Sequence, residues 1–236
     1  MTEPHLNRYA RVVGVFYVAL FILGPLVFLG GKGAVFVPGD AAATAENVRT
    51  MGQGYRTGMG IEAVIFLIEV LLSGLLYVMF RRVNAAVSLA AALARFGEAA
   101  IQGANLLTSA LVLGVVSDGA FAAFAPEQRD ALLYLFQHAN GVMILVWGLF
   151  FGFHVLLLAW LVYRSEFLPR WIGVLLFVAG SGYLAQSFGV LLMPTSAPTL
   201  DTLVVVTAVP GELAFTLWLL VRGVRVPIVA EAPRVA

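Results

Sequence analysis

Five ionisable residues, Glu69, Arg95, Glu98, His154 and Glu212, interrupt stretches of sequence that are otherwise apolar. Carboxylates, a guanidinium and an imidazole held away from water can exchange protons, hold a charged ligand or act as an acid–base pair. Two of them open the most regular pattern in the chain. Arg95, Glu98, Gln102, Asn105 and Ser109 follow one another at steps of 3, 4, 3 and 4. That spacing puts all five on one face of a helix. Charged and amide groups are costly against lipid, so this face should look into the protein, with other helices arranged around it.

The elements that must position these residues are membrane spans. Of 236 residues, 61% are apolar and only 11% charged, and the mean hydropathy is +0.95; soluble chains carry about 25% charge. The apolar runs are far longer than barrel strands, so the predicted fold is all-α, an integral membrane bundle of six transmembrane helices. The spans cover about 11–30, 58–80, 84–117, 130–163, 170–193 and 200–222, within one domain over 1–225. The first run lacks a small-residue cleavage site and reads as an uncleaved span. In the loop after it, Asp40 can cap a short helix over 41–51, with Ala45, Val48 and Met51 on its apolar face. Asn84 suits an N-cap, Pro126 and Glu127 a helix start, Pro169 a first turn and Pro210 a kink. Residues 226–236, rich in Pro and Ala, are expected to be a disordered tail.

Spans 3 and 4 each run just over 30 residues, about 50 Å, where about 20 residues suffice to cross. Their hairpin must tilt, or project beneath the first loop. Basic residues set the orientation. Arg8 and Arg11, Arg81 and Arg82, Arg164 and Arg170, and Arg222 and Arg225 alternate with poorer ends, placing both termini in the cytoplasm and the short helix outside. Lys32, Arg49 and Arg56 in the first loop run against this pattern. Gly97-Glu98-Ala-Ala and Gly211-Glu212-Leu-Ala would match in a three-plus-three inverted repeat.

Counting residues inward from alternating span ends brings Glu69, Arg95, Glu98, His154 and Glu212 to similar depth. A second set, Glu62, Gln102, Asn105, His138 and Asn140, lies nearer the outside and would line an approach. Each midplane charge costs roughly 2.5–3.5 kcal/mol, so four unpaired ones would cost about 10 kcal/mol or more. They must pair, neutralise or face water. Three glutamates against one arginine leave an excess of negative charge. Either a glutamate carries a proton, or a cation shares the site, or His154 supplies part of the balance.

Blander readings stand beside these. Arg95 and Glu98 can form a register-fixing ion pair, or Arg95 can snorkel to the interface. Glu212 can bond backbone freed by Pro210, and His154 can be a structural donor. Gln102 and Asn105 can be interhelical glue, and Glu62 and His138 can sit in interfacial water. Phe16, Tyr17, Trp147, Phe150, Phe151 and Trp160 read as packing and interface anchors. No cofactor or metal is predicted. Both membrane histidines fall on span 4, 16 residues apart and on different faces, which argues against haem. There is no H-E-x-x-H or G-x-S-x-G motif and no phosphate loop. The absence of cysteine excludes thiolate chemistry, and the net charge of +1 offers no nucleic-acid surface.

An ordered series of blocks is more specific. Arg95-Phe-Gly-Glu98-Ala is followed by Gly152-Phe-His154-Val-Leu-Leu-Leu, then Arg164-Ser-Glu-Phe-Leu-Pro169-Arg170-Trp171-Ile-Gly173. Ala179-Gly-Ser-Gly182-Tyr183-Leu184 and Gly211-Glu212-Leu-Ala-Phe-Thr-Leu-Trp218-Leu-Leu-Val-Arg222-Gly223 complete it. Over nearly the whole chain the series resembles the bacterial membrane family catalogued as domain of unknown function 4386. The resemblance implies a multi-spanning inner-membrane protein and brings no activity with it. The residues point first to small-molecule or proton-coupled transport or binding, with a small-molecule or cation substrate and a homodimer as the transporting unit. The alternatives are a structural membrane component whose polar layer locks the bundle, and an intramembrane enzyme acting on a lipid or quinone-like substrate.

Overall fold

A computed structural model describes residues 3–30, 32–117 and 119–224. Long apolar stretches become helices because only internal hydrogen bonding satisfies the backbone in lipid. The long helices are α1 (Glu3–Gly30), α3 (Gly52–Phe80), α4 (Ala85–Ser117), α5 (Pro126–Arg164), α6 (Arg170–Leu192) and α7 (Ala197–Leu217). The last continues as a π-helical turn over Trp218–Arg222. Among the described residues, six helical segments are long and apolar enough to cross a membrane. The short α2 (Ala41–Thr50) lies between α1 and α3.

The six form a ring in chain order. α1 packs on α3, α3 on α4, α4 on α5, α5 on α6 and α6 on α7, while α7 and its π turn return to α1. Small residues let the backbones approach. A Cβ on Gly180 of α6 would lie 2.9 Å from the Gly152 carbonyl oxygen and the Leu156 nitrogen of α5. A Cβ on Gly211 of α7 would lie 2.7 Å from the Leu175 carbonyl oxygen of α6, and one on Gly14 of α1 2.9 Å from the Leu220 nitrogen. The closure on α1 is fastened at Gly223, whose φ of 67° ends the π turn, so that the Val224 N–H donates to Asn7 Oδ1 at 2.8 Å.

The excess length of α4 and α5 is used at the end of the bundle that carries α2, the cap end. There Val35, Ala45, Val48, Tyr55, Val112, Val115 and Leu133 form a second apolar cluster, separate from the main core. Asp40 caps α2 by accepting from the Ala43 N–H at 2.8 Å, and Ala45 and Val48 point inward. α2 rests on α3, α4 and α5, and the loop is tied to α5 by the Arg49–Asp130 ion pair and by the Gly39 N–H donating to Tyr134 Oη at 2.9 Å.

Several helices outrun the expected spans. α3 starts at Gly52 rather than near 58, because Tyr55 is buried in the cap cluster and rewards another turn. α5 starts at Pro126 rather than near 130, with Pro in its first turn, and α7 at Ala197 rather than near 200. Asn84 does cap α4, accepting from the Val87 N–H at 3.0 Å. Pro169 stands one position earlier than expected, as the N-cap of α6. Arg225 and the tail over 226–236 lie outside the described residues.

Candidate functional site

On α4 the polar stripe faces the ring interior. Arg95, Glu98, Asn105 and Ser109 are buried, and Gln102 is half-buried at its edge. Arg95, 1% exposed, does not snorkel. Its guanidinium carbon lies 5.1 Å from the Tyr17 ring centroid on α1 and 5.7 Å from the Phe151 centroid on α5. Those ring faces are electron-rich and favour a cation between them. Glu98 Oε1 lies 3.6 Å from Arg95 Nη1, close enough for an ion pair but not for a hydrogen bond.

The ring brings further charges to this centre. Glu69 on α3 and Glu212 on α7 lie within electrostatic reach of Arg95, together with Tyr17 and Glu98. His154 on α5 shares that neighbourhood. Its Nδ1 lies 2.8 Å from the Ala91 carbonyl oxygen of α4. A carbonyl only accepts, so Nδ1 carries the proton and a neutral ring leaves Nε2 as an acceptor. Tyr183 completes the set by reaching toward Glu212 from α6. All six long helices therefore place a side chain in one layer.

The layer is only partly paired. Glu69 Oε2, both Glu98 oxygens, Glu212 Oε1, Arg95 Nε and Nη1, and His154 Nε2 are buried with no hydrogen-bond partner among the described residues. Trp147 Nε1, Ser187 Oγ and Thr216 Oγ1 are in the same condition. Buried polar atoms are rarely left so. Glu98 feels Glu69 and Glu212 as well as Arg95, and among the described residues no group of three His, Cys, Asp or Glu could hold a metal ion.

Aromatic rings wall this layer more closely than the sequence alone suggested. Trp147 stacks on Phe151 at 4.8 Å, Tyr183 meets Phe151 edge-on at 4.7 Å, and Tyr17 meets Phe215 edge-on at 5.5 Å. A signal for two of them existed. Ala10, Val13 and Tyr17 recur at steps of 3 and 4 on the buried face of α1, and Phe151 precedes His154 by three on α5.

Toward the cap end lies a second polar level. Glu62 does not sit in interfacial water. It is buried and paired with Lys32, whose Nζ lies 2.6 Å from Glu62 Oε2. The expected approach therefore contains an ion pair, because a lysine of the first loop folds back 30 residues to meet Glu62 on α3. Asn105 and Asn140 bind each other: Asn140 Nδ2 donates to Asn105 Oδ1 at 3.1 Å, and Asn105 Nδ2 to the Asn140 carbonyl at 3.2 Å. The Tyr55 hydroxyl donates to Gln137 Oε1 at 3.0 Å. A cleft of about 260 Å³ opens between the end of α1 and α5, with Lys32, Glu62, Gln137, His138 and Asn140 among its walls. Gln102 and Asn105 do not line it.

A closed bundle of six apolar helices around a buried, incompletely paired charge layer defines a multi-pass membrane protein. The chain belongs to the family described as Domain of unknown function (DUF4386), whose model matches residues 12–223. A stretch of 85 residues is 33% identical to an uncharacterized protein of Archaeoglobus fulgidus, over 36% of this chain and 49% of that protein. The match thus spans about half the length of that relative. No solved structure matches.

Proposed function

We propose that the protein binds or transports a small molecule in step with proton movement, across a bacterial inner membrane, with both termini cytoplasmic and α2 outside. Glu69, Glu98 and Glu212 are the proton-binding candidates. Arg95 balances them or meets an anionic group, and His154 Nε2 offers a further acceptor. Glu62, His138 and Asn140, which line the cleft, belong to the approach; Gln102 and Asn105 lie outside its walls.

One observation carries this reading: the three carboxylates leave buried oxygens without partners among the described residues, around a single guanidinium. A layer that served only to lock the bundle would gain most from complete pairing, since each orphaned polar group costs about 1–3 kcal/mol.

The test is uptake of a panel of small cationic, neutral and anionic solutes into proteoliposomes under an imposed pH gradient. Glu98→Gln and Glu212→Gln are each expected to abolish gradient-driven uptake while eluting as folded protein. Wild-type uptake in both variants would remove the proposed role and leave the structural reading.

A further inference from the structure

The cleft between α1 and α5 is not explained by the charge layer. Glu62 lies seven residues from Glu69 on α3, about 10 Å along the axis at 1.5 Å per residue. With the charge layer near the midplane, that depth is still inside the hydrocarbon, which extends about 15 Å on each side. Phe28, Val142 and Ile144 line the cleft and are also exposed, so its mouth is apolar at a depth where acyl chains lie. At the polar end, Lys32 donates only to Glu62, which leaves further N–H donors on its ammonium. Asn140 Nδ2 donates to Asn105 and Thr108, and Gln137 Oε1 accepts from Tyr55. His138 stands exposed at the rim, stacked on Tyr134 with ring centroids 6.5 Å apart.

We propose that this cleft is a binding site for a molecule arriving from the bilayer, an apolar tail carrying a compact uncharged headgroup that accepts hydrogen bonds. The charge complement selects the headgroup. Lys32 and Glu62 neutralise each other, so a charged headgroup would pull one of them out of a buried pair. A carbonyl or hydroxyl headgroup takes the spare ammonium donors and leaves the pair intact. A volume of about 260 Å³ is slightly below that of drug-sized sites, about 300–1,000 Å³. It suits a headgroup whose tail leaves through the mouth. The proposal does not depend on proton coupling at the charge layer.

Two sources share this chemistry, quinones and acylglycerols, and both serve as probes. The full chain in phosphatidylcholine nanodiscs is photolabelled with diazirine-tailed monoacylglycerol and diazirine-tailed benzoquinone. A fatty acid and an alkylammonium of equal chain length are the charged comparators. Saturable labelling around Phe28 and Val142–Leu145 by either neutral probe, at least tenfold above both charged probes, is the expected result. Gly141→Leu fills the cleft from α5, where an added Cβ meets nothing within 4 Å. This variant keeps the fold and should lower labelling at least tenfold. Lys32→Met/Glu62→Gln, which removes the pair without stranding a charge, should do the same. Equal labelling by charged probes, or undiminished labelling of a folded Gly141→Leu protein, overturns the proposal.

Discussion

Arg95→Met tests the charge accounting at the centre of the ring. Methionine retains much of the arginine stem's bulk and removes the guanidinium held between Tyr17, Phe151 and Glu98. Removing one partner of a buried pair costs about 3–5 kcal/mol, and losing a desolvated cation–π contact adds up to about 2 kcal/mol. The expected loss is about 3–7 kcal/mol. Glu98→Gln keeps the shape and leaves Glu69 and Glu212 still facing Arg95, so its cost stays below about 1.5 kcal/mol. The double variant should recover about 1–2 kcal/mol relative to Arg95→Met, since the stranded Glu98 charge is gone. The assay is reversible unfolding in mixed micelles, titrated with sodium dodecyl sulfate and followed by helical circular dichroism. A cost for Arg95→Met no larger than that for Glu98→Gln, or a double variant no better than Arg95→Met, would refute an excess of carboxylate at this layer.

Two further substitutions probe how the ring is built. Gly180→Ala should destabilise by about 1–3 kcal/mol, because its Cβ would meet the α5 backbone at 2.9 Å. Gly74→Ala, with open space around its Cβ, should be neutral or stabilising by up to about 1 kcal/mol. Equal effects in the same unfolding assay would contradict the close α5–α6 approach. Asn140→Ala removes the Nδ2 donor to Asn105 Oδ1 and Thr108 Oγ1 and should cost about 0.6 kcal/mol and at most about 1.7 kcal/mol, the average and maximum seen for hydrogen bonds between spans, with Asn105→Ala/Asn140→Ala showing non-additivity in a double-mutant cycle.

Much of this protein was legible in one dimension. Hydropathy and length define the spans, because a bilayer tolerates only internally bonded backbone over a fixed thickness. The 3, 4, 3, 4 spacing from Arg95 to Ser109 determines that these residues share a face, since each residue advances a helix by a constant angle. Asp40 and Asn84 announced their helix starts for the same reason: a cap acts on N–H groups two or three residues away. What the faces meet is another matter. Lys32 reaching Glu62, Tyr17 and Phe151 flanking Arg95, and Tyr183 facing Glu212 are contacts between residues 29 to 78 positions apart. They arise from ring closure through Gly14, Gly180 and Gly211. No local periodicity encodes which small residue will receive which neighbouring helix. The stripe on α4 and the depth count thus predicted an interior with one guanidinium and three carboxylates, and only the packing of six helices decided which aromatic rings wall it and that Tyr183 faces Glu212.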